Sequence, residues 1–195
     1  MMGWLSRRVL VLMGIVLAVL LMIRVVSYRP GNVSNITETL TQAPGCTGGS
    51  CFLGIVPDDT EQDAVYQALN QSPYVAGFRM AQVEFGLRQM FVQWSGEQPD
   101  FLIDEGYITL IGERAETVEL TTNLYLGEIM LALGMPDHMT RTAFNLYLHY
   151  DSHGIMIESV VNCDALWYSS VRVIYRSPPA RLVDRADDLL SDYCR

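Results

Sequence analysis

An uninterrupted apolar run stands near the start of the chain: the fifteen residues from Val9 to Ile23 carry no polar side chain. Extended to Tyr28, the segment has 20 residues, and a helix of this length spans roughly the 30 Å of a bilayer's hydrocarbon core. Arg24 lies near one end, where its long side chain can carry the guanidinium to the headgroups. The pattern predicts a transmembrane helix over 9–28, with residues 1–8 in the cytoplasm.

Two other interpretations of the apolar run stay open. Arg7 and Arg8 precede it, as in a cleaved signal peptide, and a lipoprotein signal also begins in this way. No A-x-A-like cleavage site follows the run, and the first cysteine, Cys46, comes more than twenty residues later. We therefore favour an anchor, with the bulk of the chain outside a cell membrane.

Beyond the apolar run, residues 29–45 are rich in Asn, Ser, Thr and Gln and have no apolar period, which predicts a linker. Periodic segments follow it. They predict, in order, a helix at Thr60–Gln71, strand structure at Phe78–Trp94 with a bulge at Gly86, a hairpin of Phe101–Ile103 and Tyr107–Ile111 that turns at Asp104–Gly106, and a helix at Leu126–Leu133.

The second half of the chain repeats this order in outline. A hairpin is predicted from Phe144–Tyr150, a turn at Asp151–Gly154 and Ile155–Ile157, then a strand at Ser170–Arg176 and an amphipathic helix at Leu182–Tyr193. Because the order helix, strand, strand occurs twice, we expect an α+β fold over residues 46–195. Its antiparallel sheet would carry helices on one face and consist of two αββ-like halves.

The charge of the chain narrows the classes of partner. There are 13 Arg, no Lys and 22 acidic residues, which give a formal net charge of −9. Four of the arginines precede residue 30, so the rest of the chain carries −13. An acidic body of this kind repels phosphate backbones, which argues against nucleic-acid binding.

The four cysteines, Cys46, Cys51, Cys163 and Cys194, have no metal-ligand spacing and are typical of disulfides in an exported protein. Three connectivities are open. We favour Cys46–Cys51 with Cys163–Cys194, because the first two cysteines are close in sequence and two glycines between them allow a tight reversal.

Candidate chemistry is confined to one predicted turn. His149, Asp151 and His153 lie at the tip of the second hairpin, but side chains at this spacing need not converge on a strand turn, so a surface turn is favoured over a metal site. No hydrolase elbow, phosphate loop or dinucleotide fingerprint occurs. We expect no cofactor and no metal, and Tyr147, His149 and His153 are the candidates for an exposed contact surface.

The segment Cys51-Phe-Leu-Gly-Ile-Val-Pro-Asp-Asp-Thr60 resembles the motif Cys-Trp-x-Gly-Ile-x-Pro-Gly-x-Thr of uncharacterised membrane-attached or secreted bacterial proteins, common in Chloroflexi. The likeness continues at Leu126–Ile129, at Gly134-Met-Pro136 and at Leu146–Tyr150, with departures at Phe52, Asp58 and Tyr125. The Gly-x-Pro helix ends also resemble, more distantly, small outer-membrane-assembly lipoproteins and the β-lactamase-inhibitor-like fold. The resemblance implies an α+β protein-binding module without catalytic residues.

We therefore expect a membrane-anchored, extracytoplasmic protein-binding or scaffolding module that is not an enzyme and meets a protein or envelope component. The alternative is an extracytoplasmic metal-dependent hydrolase that uses His149, Asp151 and His153. A binding module predicts an exposed apolar or aromatic patch, whereas an enzyme predicts a cleft that contains groups with shifted pKa values.

Overall fold

The structure is a computed structural model and describes residues 30–42, 46, 51–84, 86–160 and 163–177. The chain divides into two compact units, 1–35 and 36–195, and the first is described only over residues 30–35. The described part of the second unit is built on one sheet of eight strands. They are β1 Val75–Glu84, β2 Leu87–Trp94, β3 Leu102–Ile111, β4 Arg114–Tyr125, β5 His138–Arg141, β6 Asn145–Tyr150, β7 Ile155–Val160 and β8 Ser170–Arg176.

The strand order, β1-β2-β3-β4-β8-β7-β6-β5, joins two antiparallel meanders into one sheet. The strands β1 to β4 follow one another as neighbours, after which the chain crosses to the far edge and returns through β5, β6 and β7 to β8. The last strand closes against the fourth, with Val118 opposite Tyr175 and Leu120 opposite Val173. Apolar residues at alternate positions therefore form one continuous face across the centre of the sheet.

The predicted fold class, an α+β sheet of two αββ-like halves, is wrong. The described residues form mostly one eight-stranded antiparallel sheet with few helices. The expected turn at Asp104–Gly106 is a bulge inside one strand, since Asp104 has a φ of 55° and the β3–β4 register jumps between Leu102 and Gly106. Gly86, with a φ of 83°, lies in the connection between two paired strands and is not a bulge within one.

Three α-helices are described: α1 Pro30–Thr41, α2 Gln62–Gln71 and α3 Leu126–Leu133. The bounds predicted for α3 are confirmed, but α2 begins later than Thr60 because the Thr60 hydroxyl accepts the Val56 N–H at 2.8 Å instead of capping the helix. Among the described residues, no helix combines the length and the apolar character needed to cross a membrane. The predicted segments 9–28 and Leu182–Tyr193 lie outside those residues.

The segment predicted as a linker, 29–45, contains α1. Ile36 and Leu40 of this helix are only 2% and 1% exposed and belong to the hydrophobic core. The Thr37 hydroxyl donates to the Ala132 carbonyl at 2.9 Å, and the buried Tyr175 hydroxyl donates to the Leu40 carbonyl at 3.0 Å. Part of the expected linker is therefore packed into the folded unit.

The core lies between these helices and one face of the sheet, which we call the inner face. It contains Val65 and Leu69 of α2 and Leu126 and Ile129 of α3. The inner face of the sheet contributes a row of buried side chains from successive strands: Val92, Leu120, Val173, Ile157, Leu148 and Met139. The opposite face, which we call the outer face, carries the residues between them along each strand.

A disulfide joins Cys46 and Cys51, with their Cα atoms 5.7 Å apart, which confirms this predicted pair. It fixes the chain just before Phe52 and Ile55, both of which are buried. The second predicted pair is not tested, because the Cys163 side chain and all of Cys194 lie outside the described part of the chain.

Candidate functional site

On the outer face, the predicted site residues of β6 lie between β7 and β5, a strand that the sequence did not predict. Strand pairing aligns His138 of β5 with His149 of β6, and His149 with Met156 of β7. Tyr147 lies two residues earlier on β6 and faces the same side. His153 lies beyond the strand, in the short 3-10 helix Asp151–His153.

The two histidines of this row are buried and stacked. His138 is 5% exposed and His149 is 3% exposed, and their ring centroids lie 4.1 Å apart with 11° between the ring planes. His149 therefore does not offer the exposed contact that the alternation of its strand predicted. We call His138 and His149 the histidine pair.

Two neighbours fix the protonation state of His149. Its Nε2 lies 2.9 Å from the Thr140 hydroxyl, and its Nδ1 lies 3.4 Å from the Arg176 guanidinium. Because arginine can only donate, Nδ1 accepts and Nε2 carries the proton that it gives to Thr140. Burial lowers the pKa of His149 to about 4, with smaller contributions from His138 and Arg176, so the ring is neutral at neutral pH.

His138 connects the pair to the following turn. Its Nδ1 lies 3.2 Å from Oδ2 of Asp151, whereas its Nε2 is buried without a hydrogen-bond partner among the described residues. The turn is itself held in place, because Oδ2 of Asp137 accepts the backbone N–H of Asp151 at 2.7 Å. The Asp137 carboxylate thus helps to position Asp151, whose own carboxylate reaches the His138 ring.

The structure brings together His138, His149 and Asp151, with one potential ligand atom of each within 4.8 Å of the others. The predicted group contained His153 instead, which lies outside this cluster. No local pattern marks His138, since it lies eleven residues before His149 and reaches it only through strand pairing. The short strand β5 was not predicted, so this partner was missed.

Tyr147 is half-buried and belongs to a polar network on the outer face. Its hydroxyl donates to Oε1 of Glu158 at 3.1 Å, and Arg172 lies between Glu158 at 3.4 Å and Glu119 at 3.7 Å. Burial raises the pKa of Glu119, although Arg172 acts in the opposite direction. The Tyr147 side chain is therefore engaged within the sheet, which makes it a weaker contact candidate than the alternation suggested.

The described residues expose a different group of large side chains. Tyr125, Trp167 and Tyr168 are 46%, 52% and 75% exposed, and the rings of Tyr125 and Tyr168 meet edge to face at a centroid distance of 6.2 Å. We call these three residues the aromatic patch. None of the three is among the contact candidates expected from the sequence, which were Tyr147, His149 and His153.

Close packing of two segments positions the aromatic patch. The 3-10 segment Cys163–Tyr168 lies against the start of α3, where the Leu126 N–H donates to the Ser169 carbonyl at 3.0 Å. A Cβ atom on Gly127 would lie 3.2 Å from the Trp167 carbonyl oxygen, so glycine is what permits this approach. Leu131, 71% exposed, follows one turn later on the same side of α3.

Two open grooves lie elsewhere on the surface. One is lined by Leu53, Gln67 and Tyr74 beside α2, and the other by Trp94, Tyr107 and Asp104, together with their neighbours, at one end of β2 and β3. The described residues that line them include no histidine and no cysteine. The lowered pKa of His149 thus belongs to a packed sheet face and not to either groove.

No protein-family model matches the chain. No curated protein matches it either. A solved structure, that of the DUF4309 family protein YjgB from Bacillus subtilis, is 13% identical, covers 75% of this chain and 95% of its own, and has a TM-score of 0.38. This likeness is distant, and the resemblance to the Chloroflexi-type proteins is not confirmed.

Proposed function

We propose that the chain is a non-catalytic protein-binding module on the outer side of a cell membrane, and that the aromatic patch is its contact surface. The observation that carries the proposal is the exposure of three aromatic side chains: Tyr125 and Tyr168, whose rings are in contact, and Trp167, which precedes Tyr168. Tryptophan and tyrosine are the residue types that contribute most to protein–protein binding when they are buried at an interface.

The rigidity of the patch supports this use. Tyr125 ends β4 and leads into α3, and its backbone N–H donates to Oε2 of Glu128 at 2.9 Å. Trp167 is held against Gly127. Aromatic side chains on a fixed backbone lose little conformational entropy when they bind, so more of the contact energy appears as affinity.

The chemistry of the partner follows from the charge of the chain. Beyond residue 29 the formal charge is −13, so a partner with an apolar pocket inside a neutral or basic surface is favoured over an acidic one. The Cys46–Cys51 disulfide supports an oxidising compartment outside the cytosol. Confinement to a membrane surface would raise the effective concentration of the module for partners there.

The hydrolase alternative has less support. It used His149, Asp151 and His153, but the cluster contains His138 in place of His153, and both histidine rings are almost fully buried. A general base must reach a bound substrate. The burial of the histidine pair therefore argues against its use as a general base.

The test is capture of a partner from membranes of the source cells by the tagged full chain, followed by quantitative mass spectrometry. We expect one protein to be retained in stoichiometric amount by the wild type. The double variant Trp167→Ala and Tyr168→Ala should lose it by about tenfold or more, since truncation of a buried aromatic at an interface costs on the order of 2 kcal/mol.

Phe144→Ala is the matched control. Phe144 is 78% exposed but lies in the turn between β5 and β6, away from the patch in sequence and strand order. It should retain the partner as the wild type does. Equal loss from both variants, or equal retention by both, would rule out the aromatic patch as the contact surface.

A further inference from the structure

We propose that His138, His149 and Asp151 form a binding site for a divalent transition-metal ion of the Zn²⁺ type. The site lies where β5, β6 and the turn after β6 meet, and it is separate from the aromatic patch in the fold. Its existence does not depend on the proposed function.

The donor set suits such an ion. Two imidazole nitrogens and one carboxylate oxygen are common ligands of catalytic and transport zinc sites, which leave a further position for water. One ligand atom of each residue lies within 4.8 Å of the others. His138 Nδ1 lies 3.2 Å from Asp151 Oδ2, so the carboxylate already faces this ring.

A buried polar atom without a partner gives an independent indication. Nε2 of His138 has no hydrogen bond among the described residues, although the side chain is only 6% exposed. A buried polar group in this state costs free energy that a ligand can recover. An ion bound at Nε2, after a turn of the ring, would give this atom the partner that it lacks.

One ring must turn for the ion to bind. A metal lies in the plane of each ligating imidazole, and the two ring planes here are nearly parallel, at 11°. His149 is held at both nitrogens, by Thr140 and Arg176. His138 is held only through Nδ1, so it is the ring that rotates.

The two neighbours of His149 then have opposite effects. Thr140 binds the Nε2 proton and leaves Nδ1 as the free ligand atom, in the way that outer partners orient metal-binding histidines. Arg176 places a guanidinium 3.4 Å from that same nitrogen, so a cation already occupies part of the site. The metal must displace this half-exposed side chain, and Arg176 thereby weakens metal binding.

The ion would fasten an edge of the sheet. β5 is a four-residue strand that pairs only with β6. A metal joined to His138, His149 and Asp151 would tie this strand, its neighbour and the following turn at one point. Binding should therefore raise the melting temperature of the chain as well as release heat.

The experiment is a calorimetric titration of zinc chloride into the tag-free, oxidised full chain after removal of metals with a chelator. We expect one Zn²⁺ per chain with a micromolar or lower dissociation constant. His138→Ala and His149→Ala should each weaken binding by at least about tenfold, and Arg176→Gln should strengthen it by about tenfold.

His153→Ala is the matched control, because this histidine lies next to the cluster in sequence but outside it, and it should bind as the wild type does. A histidine variant can fail to fold because both rings are buried, so Asp151→Asn is a second variant. The Asp151 side chain is 42% exposed, and this variant should fold and bind zinc more weakly than the wild type. No heat with micromolar zinc, or a zinc affinity that His138→Ala, His149→Ala and Asp151→Asn leave unchanged, would overturn the proposal.

Discussion

The histidine pair makes stability depend on pH. The pKa of His149 falls from 6.5 to about 4 on folding, and the titratable and charged groups that face it are His138, Arg176 and, through His138, Asp151. A depressed pKa means that the unfolded state takes up a proton first as the pH falls. The stabilisation is thus complete above pH 6.5 and is lost progressively down to about pH 4.

We therefore expect the free energy of unfolding of the metal-free chain to fall on the order of 3 kcal/mol across this window, because one pKa unit corresponds to about 1.4 kcal/mol. Urea unfolding in the presence of a chelator, at a series of pH values, measures it. His149→Gln should flatten this dependence, whereas His153→Ala should keep it. An unchanged slope in His149→Gln would assign the effect to other groups.

Gly106 is a second residue whose role can be tested alone. A Cβ atom there would lie 2.7 Å from Cζ2 of Trp94, so the indole ring must move. Gly106→Ala should lower the free energy of unfolding by about 1–3 kcal/mol, the usual cost of overpacking. Thermal unfolding followed by circular dichroism measures this cost.

Gly77→Ala provides the control for Gly106→Ala. Gly77 lies in the same sheet, has nothing within 4 Å of its ideal Cβ position, and does not have a positive φ. Its substitution should leave stability unchanged or raise it slightly. Equal losses from the two variants would mean that contact with Trp94 is not the cause.

At the scale of the element, helix α1 makes the most direct prediction. Leu40 is 1% exposed and its carbonyl accepts the Tyr175 hydroxyl. Leu40→Ala should lower the free energy of unfolding by about 3 kcal/mol, because a buried leucine loses transfer energy and leaves a cavity. The control is Leu131→Ala, which truncates a side chain of α3 that is 71% exposed. It should change the free energy of unfolding by less than about 0.5 kcal/mol.

If Leu40→Ala proves as stable as Leu131→Ala, the segment 36–41 does not belong to the core. Its removal together with the preceding residues would then leave stability unchanged, as the predicted linker over 29–45 implies. Denaturant unfolding of both variants distinguishes these outcomes.

The elements that the sequence predicts best are those with a clear local period. The hairpin of β6 and β7, the strand β8 and the helix α3 have regular apolar spacing and definite ends. In α1 the buried side chains that the structure describes are Ile36 and Leu40, four residues apart among polar neighbours. Its packing against Tyr175 is a tertiary contact that no local pattern contains.

Two strands show why the fold class was not predictable. In β3 the sequence Asp104-Glu105-Gly106 has the composition of a turn, but neighbouring strands on both sides hold it as a bulge. β5 has only four residues. β4 is also absent from the predicted elements, and without it the sheet separates into β1–β3 and β5–β8, which is the arrangement that the repeated order of elements suggested.

At the scale of the whole molecule, the same limit applies to the candidate sites: residues close in sequence can be predicted together, whereas residues joined only by tertiary contacts cannot. His149 and Asp151 were found from the sequence because they are neighbours in one hairpin, whereas His138 needed the register of β5. The sequence shows that Trp167 and Tyr168 are adjacent aromatic residues. Their assembly with Tyr125 depends on the contact between Gly127 and the segment before β8.

Across the molecule, the described residues place mixed charges on the outer face and large aromatics at one junction. Arg172 pairs with Glu119 and Glu158, which neutralises part of the acidic surface locally. Tyr125 and Tyr168 remain exposed beside Trp167. A binding surface at this junction would therefore gain its specificity from apolar contact.

The most direct measurement is photo-cross-linking in intact cells with a photoreactive amino acid at position 168, compared with one at position 144. We expect a single discrete adduct with a partner protein from position 168, its loss when Trp167→Ala is added, and no such adduct from position 144. The same adduct from both positions, or none from position 168 while that from position 144 persists, would contradict a contact surface at the aromatic patch.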